Sequence, residues 1–374
     1  MRIGIDARFF GPIGKGLGRY TQKLIEKLEK IDSKNQYFIF LTKENFNDYR
    51  PTKDNFQKIL ADCRWYTFKE QWKMPGLLRK YDLDLVHFPH FNVPLFYRKK
   101  FIVTIHDLIL LHYPTTKGTT LNSFFYWLKF FAYKIIIRSA VRRSAKVITV
   151  SNFTKNDILK NYKIEAEKVS VTYEACEDFC NISFKNSDEI LLNYGIIKPY
   201  LLYVGNAYPH KNLENLIKEF SKINEKMRDC QLVLVGKEDY FYKRLQRLVE
   251  QEKIRKVVFP GYIPENVLDV VYRESELYVF PSLYEGFGLP PLEAMAKGVP
   301  VAASNHPCMK EILGESAFYF DPNKKGGIAK SILEVLDNPA EIEKLKLSGY
   351  AQCKKFSWEK MAKKTLEIYK KNER

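Results

Sequence analysis

The sequence predicts an α/β protein built from two doubly wound, parallel-sheet domains. Short β-branched and aromatic runs alternate with helical stretches along the whole chain, the pattern of strand–helix–strand units. The runs fall into two successive series, seven in the first half and six in the second. A chain of 374 residues has room for two such domains, each burying its own core.

In the first series the expected strands are RIGID, YFIFLT, WYTF, DLVHFP, FIVTIHD, KVITVS and KVSVTY. In the second they are YLLYVG, QLVLVG, KVVFPG, LYVFPS, PVAAS and AFYF. A polar, lysine-bearing passage from Lys185 to Lys198 separates the series. The first domain is therefore expected over residues 1–190 and the second over 191–355. Residues 356–374 read as a terminal helix, with Ser357 as N-cap and Trp358, Met361, Ala362, Thr365 and Ile368 at helical spacing.

Composition narrows the function classes. A formal charge of +17 predicts attraction to something anionic: nucleotide phosphates, an acidic membrane surface or nucleic acid. No recognition motif or run of stacking aromatics of the RNA-binding type accompanies the charge, which disfavours nucleic acid. Six cysteines are no disulfide framework in a chain this long. Cys176 and Cys180 lie four apart without a second pair to complete a zinc site, so no metal is expected. The opening MRIGIDARFFG lacks the apolar core of a signal peptide, and nothing reads as a spanning helix. A reducing cytoplasm is the expected setting, where the sequons at Asn152 and Asn181 would carry no glycan.

In open parallel sheets, ligands bind beyond the carboxyl ends of the strands. The strands of the first series end in Asp6, His87, Asp107, Ser151 and Glu174, those of the second in Gly205, Gly236, Gly261 and Ser282. Two such edges facing each other would enclose a cleft. Taken singly, each of these residues is more simply the start of a turn.

Four stretches carry candidate chemistry. The first, GPIGKGLGRYT, places Gly14, Gly16 and Gly18 between the opening strand and the helix YTQKLIEKLEKI, where a backbone can cradle phosphate. It does not spell GxGxxG and has no acidic ribose partner, so a dehydrogenase is disfavoured. The second is His106-Asp107 at the end of FIVTI; a histidine there can donate to a sugar hydroxyl or steady a developing charge, though a strand-end histidine is more often structural. His87 and His90 in HFPH are weaker candidates on the acceptor side.

In the third stretch, YLLYVGNAYPHKNLENLIKEF, a strand ends at Gly205 and Asn206, and a helix begins near Asn212 with Leu213, Leu216, Ile217 and Phe220 on one face. Lys211 stands at that helix start, where an ammonium and free N–H groups can hold a diphosphate together. The fourth, LYVFPSLYEGFGLPPLEAMAKGVP, runs from strand through a turn with Gly286 and Gly288 into a helix at Pro290-Pro291. It places Glu285 in the loop and Glu293 in the first helical turns, eight residues apart.

These residues carry a resemblance. Glu285 and Glu293 within PSLYEGFGLPPLEAMAKGVPV resemble the E-x7-E motif of retaining glycosyltransferases of family 4 (GT4), which have the GT-B fold of two Rossmann-like domains facing across a cleft. GIDAR, a GRYT-like segment after the first glycines, the His106-Asp107 pair and Lys211 fit the same pattern, and the resemblance covers essentially the whole chain. It implies sugar transfer from a nucleotide-sugar to an acceptor hydroxyl, without an obligatory metal or other cofactor. On it Glu293 holds the ribose, while Glu285 and the backbone of Phe287, Gly288 and Leu289 hold the donor sugar. Lys211 and the glycine loop with Gly16 and Gly18 neutralise the departing diphosphate beside Gly205 and Asn206, and His106 steadies the sugar. Relatives commonly carry arginine where this chain has Asn206, which leaves the second positive charge unassigned. In similar proteins the terminal helix crosses back to the first domain.

The resemblance is strongest to bacterial GDP-mannose-dependent mannosyltransferases of polysaccharide assembly, with UDP- and dTDP-sugars fitting the same scaffold. The implied partners are a nucleotide-sugar and a saccharide or lipid-linked acceptor. A non-catalytic nucleotide-sugar-binding protein is the alternative, but it need not keep His106 and Glu285 alongside Lys211 and Glu293. A metal-dependent GT-A transferase lacks its DxD motif here. Residues 121–146, basic and aromatic without an acidic residue, read equally as an interfacial membrane helix or as a domain helix with a snorkelling basic edge. The resemblance tilts this towards an anionic membrane surface, at the inner face of the cell membrane.

Overall fold

A computed structural model describes residues 1–115, 122–176 and 186–373; the expectations that involve Leu121, Cys180, Asn181 and Lys185 lie outside the described residues. The chain divides into two compact units, one of Met1–His112, Phe124–Glu174 and Ser357–Arg374, the other of Tyr113–Ser123 and Ala175–Phe356. The boundary thus falls at Glu174, ahead of the expected residue 190, and the passage before Lys198 contains a short helix, Ser187–Leu192.

The first unit holds a sheet of seven parallel strands: β1 Arg2–Asp6, β2 Gln36–Leu41, β3 Phe56–Leu60, β4 Leu85–Phe88, β5 Phe101–Ile105, β6 Lys146–Thr149 and β7 Val169–Val171. Their order is β3-β2-β1-β4-β5-β6-β7, with Ile5 of β1 level with Ile39 on one side and His87 on the other. The second unit holds six: β8 Tyr200–Val204, β9 Gln231–Val235, β10 Val257–Gly261, β11 Leu277–Phe280, β12 Val301–Ser304 and β13 Phe318–Phe320, in the order β10-β9-β8-β11-β12-β13. Central strands such as β5 and β11 are buried along their whole length, as a sheet covered on both faces requires. In each sheet the strand order reverses between two neighbours, β1 and β4 in the first and β8 and β11 in the second. A crevice opens beyond the strand ends at such a switch point.

Three local expectations are corrected. WYTF at residues 65–68 is a turn, not a strand. Its rings serve loop packing instead: Trp65 lies against Phe9 with centroids 4.6 Å apart, and Tyr66 has a left-handed backbone with φ 60°. The edge position is taken by β3, FQKIL, in which Phe56 and Ile59 are buried and Gln57 and Leu60 are exposed. Next, the first helix is Lys15–Ile31 rather than starting at Tyr20, so Gly16 and Gly18 lie in its opening turns. Last, His87 does not reach an acceptor side. It is fully buried between the Tyr369 hydroxyl at 2.6 Å and Thr104 Oγ1 at 2.8 Å.

The C-terminal helix, Trp358–Lys371, is capped by Ser357, whose hydroxyl accepts from the Glu359 and Lys360 amides, and it packs on Lys15–Ile31 of the first unit. The helix Ser123–Arg143 is divided. Tyr133, Ile137, Ala140 and Val141 enter the core of the first unit, while Phe124, Phe125, Trp127, Leu128, Phe131 and Ile135 are exposed. No helix among the described residues is long and apolar enough to cross a membrane.

Candidate active site

The strongest constellation lies at the switch point of the second unit. After β8 the chain turns at Gly205, whose carbonyl accepts from Tyr242 Oη at 2.8 Å. The Asn206 carbonyl accepts from Tyr203 Oη at 2.7 Å, and its side-chain Oδ1 faces the Tyr208 amide at 3.4 Å. A 3-10 turn, Pro209–Lys211, then leads through Asn212 into the helix Leu213–Lys226, which buries Leu213, Leu216, Ile217 and Phe220 as the spacing predicts. After β11 the second loop is tied to this turn, because the Leu283 amide donates to the His210 carbonyl at 2.7 Å.

The two loops meet in an ion pair, Lys211 Nζ to Glu285 Oε1, 2.5 Å apart. Both side chains are largely buried, and the ammonium also sits over the Phe280 ring. Burial alone would raise the Glu285 carboxyl; the Lys211 charge outweighs that and holds it below the usual carboxylate range. Burial beside Lys211 pushes the neighbouring His210 down to about 4, so it is neutral at pH 7. One fixed positive centre and one fixed carboxylate therefore stand side by side. A small pocket of about 140 Å³, which neither of the two lines, opens between Tyr208, Asn212, Phe241 and Arg244.

The helix Leu289–Ala296 follows directly, with Gly288 at its N-cap in a left-handed conformation (φ 88°) that a side chain rarely adopts. Phe287 is buried against Phe356. Leu289 opens the helix, and Glu293 sits one turn on, its Oε2 3.4 Å from the Tyr272 hydroxyl. Sequence spacing thus brings both glutamates to one end of one strand, on either side of a helix N-terminus.

In the first unit His106 directly follows β5 and is held on three sides. Its Nδ1 lies 2.9 Å from Glu174 Oε1, its Nε2 lies 3.0 Å from the Pro89 carbonyl, and the Tyr20 ring meets it edge-on at 4.7 Å. In the sequence Glu174 stands out only as a strand end; its partnership with His106 spans 68 residues and leaves no local signal. Gly18 serves packing, since a Cβ there would stand 1.9 Å from the Gly11 carbonyl oxygen, whereas Gly16 faces open space in the first helical turn. Among the described residues no group of three or more His, Cys, Asp and Glu is placed to hold a metal ion.

Comparison with known proteins gives this geometry a family. Residues 14–176 match the profile described as Glycosyltransferase Family 4, and residues 195–352 the one described as Glycosyl transferases group 1. The chain is 27% identical to O-antigen chain mannosyltransferase B of Escherichia coli, over 95% of this chain and 96% of the relative. It is 29% identical to O-antigen chain mannosyltransferase RfbU of Salmonella typhimurium, over 75% and 72%. In fold it is similar to sucrose-phosphate synthase from Thermosynechococcus elongatus, with a TM-score of 0.78 at 20% identity, over 99% of this chain and 98% of the other. It is similar too to Anabaena HepE in complex with UDP-glucose, with a TM-score of 0.74 at 15% identity, over 99% and 100%. With two matched domains that together span most of its length, the chain belongs to the GT4 glycosyltransferases of GT-B fold.

Proposed function

We propose that this glycosyltransferase moves a hexose, mannose from GDP-mannose, onto an acceptor hydroxyl with retention of anomeric configuration. The acceptor is a saccharide or lipid-linked saccharide of cell-surface polysaccharide assembly. The observation that carries the reading is the buried Lys211–Glu285 pair at the switch point of the second sheet, beside the Gly288-capped helix that bears Glu293. Lys211 keeps two N–H donors beyond the one given to Glu285, enough to meet a diphosphate. Glu285 and the backbone at Phe287, Gly288 and Leu289 take the sugar, and Glu293 takes the ribose hydroxyls.

In the reaction the bond from the sugar C1 to the diphosphate oxygen breaks and the acceptor oxygen bonds to C1 on the same face. The acceptor proton passes to the leaving phosphate, and free nucleoside diphosphate is released. Lys211 stabilises the charge that grows on the leaving oxygen, the task a divalent ion performs elsewhere, and no metal is required on this reading. His106, oriented by Glu174, reaches a sugar hydroxyl by exchanging its bond to the Pro89 carbonyl.

Mannose is supported by the two mannosyltransferase relatives. A UDP-sugar is the second reading, supported by the UDP-glucose bound in the structurally similar HepE. A dTDP-sugar, or nucleotide-sugar binding without transfer, fits the same residues. Thermal shift with GDP, UDP and dTDP separates the donors: GDP should stabilise the wild type most and lose its effect in Lys211→Ala. Stabilisation by UDP alone would replace mannose with a UDP-sugar.

We further propose that the first unit docks on an anionic membrane surface, at its cytoplasmic face. The exposed face of Ser123–Arg143 carries six large apolar side chains among Lys129, Lys134, Arg138 and Arg142, with no acidic residue in the helix.

A further inference from the structure

The switch point of the first sheet is lined by rings rather than charges. Phe9 follows β1 and His90 follows β4, and their rings lie 5.1 Å apart across the crevice. Trp65 and Tyr66, from the turn before the helix Glu70–Arg79, close on them: Phe9 to Trp65 is 4.6 Å and Tyr66 to His90 is 5.9 Å, edge-on. Tyr66 is 55% exposed, so one face of the cluster is open.

The turn is held where it would not otherwise rest. Tyr66 has φ 60°, a region costing of order 1 kcal/mol or more for a residue with a side chain. Its amide donates to Glu70 Oε2 at 2.9 Å. Glu70 is fully buried and fixed in turn by Arg8 Nη2 at 2.5 Å and by Asn92 Nδ2 at 2.8 Å. Arg8, also fully buried, is anchored to Asp6 at 2.7 Å and to the Cys63 carbonyl at 3.1 Å. A buried ionic clasp of this kind adds little net stability, and glycine would relieve the strain. What the clasp secures is the presentation of the Tyr66 ring. Strain maintained by a rigid surround at a ligand-binding edge points to a site.

We propose that Trp65, Tyr66 and His90, backed by the buried Phe9 ring, form a platform on which a pyranose ring of the saccharide acceptor stacks. One face of a pyranose is a plane of C–H groups that packs on aromatic rings, while its hydroxyls need polar neighbours at the rim. Here the rim supplies the Tyr66 hydroxyl and His90, and Pro89, next in sequence to His90, carries the carbonyl that His106 bonds. The platform deepens the transferase reading above by naming what binds in the first unit.

The test uses the full chain labelled with 5-fluorotryptophan, which reports Trp65, Trp72, Trp127 and Trp358 separately by fluorine NMR. Titration with methyl pyranosides of mannose, glucose, galactose and rhamnose should move the Trp65 resonance saturably, while Trp72 (exposed beside Phe96) stays still. Tyr66→Phe should keep binding within about threefold. Tyr66→Gly should weaken it at least tenfold while its melting temperature stays equal or rises, which a merely structural tyrosine would not do. No saturable shift at Trp65, an equal shift at Trp72, or unchanged binding in Tyr66→Gly would overturn the platform. Nucleotide binding is followed on the same samples by thermal shift. If nucleotides bind and pyranosides leave Trp65 unmoved, the platform fails and the transferase reading stands. If pyranosides move Trp65 but no nucleotide binds, the transferase reading fails and a saccharide site remains.

Discussion

Lys211 Nζ and Glu285 Oε1 are 2.5 Å apart, joined by two largely buried side chains from loops 74 residues apart in sequence. The loops leave neighbouring strands, β8 and β11, so the pair bridges the point where the second sheet reverses its order. A buried pair is costly to break from one side, because the survivor keeps its desolvation without its partner. Lys211→Ala should therefore destabilise the fold by about 3–5 kcal/mol in denaturant titrations. The double variant Lys211→Ala/Glu285→Ala should cost clearly less than the two singles added together. Strict additivity would mean that the two side chains do not act as a unit.

His87 gives a pH signature. Burial, with His106 nearby, pushes it down to about 3 in the folded chain, whereas an unfolded histidine titrates near ~6.5. Between these values the unfolded state binds the extra proton. The stability contributed by the neutral, buried ring is thus complete above pH ~6.5 and is lost as pH falls towards 3. His210, pushed down to about 4, acts with the same sign. Unfolding free energy measured at pH 7, 6 and 5 should fall steadily, and His87→Asn should flatten that slope by up to ~1.4 kcal/mol per pH unit. An unchanged slope would show that His87 takes up its proton over the same pH range in the folded and unfolded chains.

Gly288 is fixed by conformation. At φ 88° a side chain is strained wherever it points, and a Cβ would also meet Met309 Cε at 2.6 Å. The methionine tip can move away, but the backbone cannot. Gly288→Ala should cost about 1–2 kcal/mol, read from the denaturation midpoint. Because the amides of residues 287–289 are the proposed sugar contacts, the KM for donor should rise as well.

Much of this was legible in the sequence. Twelve of the thirteen expected strand runs coincide with strands, because buried parallel strands are written as continuous apolar runs. The exception, WYTF, has the composition of a strand but the backbone of a turn: the Tyr66 amide donates to Glu70, four residues on, which Arg8 holds from 62 residues away, a contact that composition does not encode. The true edge strand, FQKIL, buries only Phe56 and Ile59, with neither a continuous apolar run nor a clean alternation, and so reads weakly. In the candidate site, the turns that carry Lys211, Glu285 and Glu293 were legible, because flanking glycines and prolines spell them. The Arg8–Glu70 clasp and the Glu174–His106 pair were not, since each joins residues more than sixty positions apart.

The exposed aromatic face of Ser123–Arg143 predicts salt-sensitive attachment to anionic lipid. Vesicles of phosphatidylglycerol should sediment the protein at low salt, and vesicles of phosphatidylcholine should not. Phe124→Glu/Phe131→Glu should reduce sedimentation at least tenfold without lowering the melting temperature, because both side chains are already in solvent. Equal binding to both lipids would remove the charge from the account.

The most direct test of the central claim is nucleotide release from a panel of sugar nucleotides, run with saccharide and lipid-extract acceptors, with and without EDTA. Release from GDP-mannose that survives EDTA and falls by roughly 10²–10³-fold in Lys211→Ala is the predicted result. No release from any donor, with no stabilisation by GDP, UDP or dTDP, would contradict a nucleotide-sugar site built on Lys211 and Glu285.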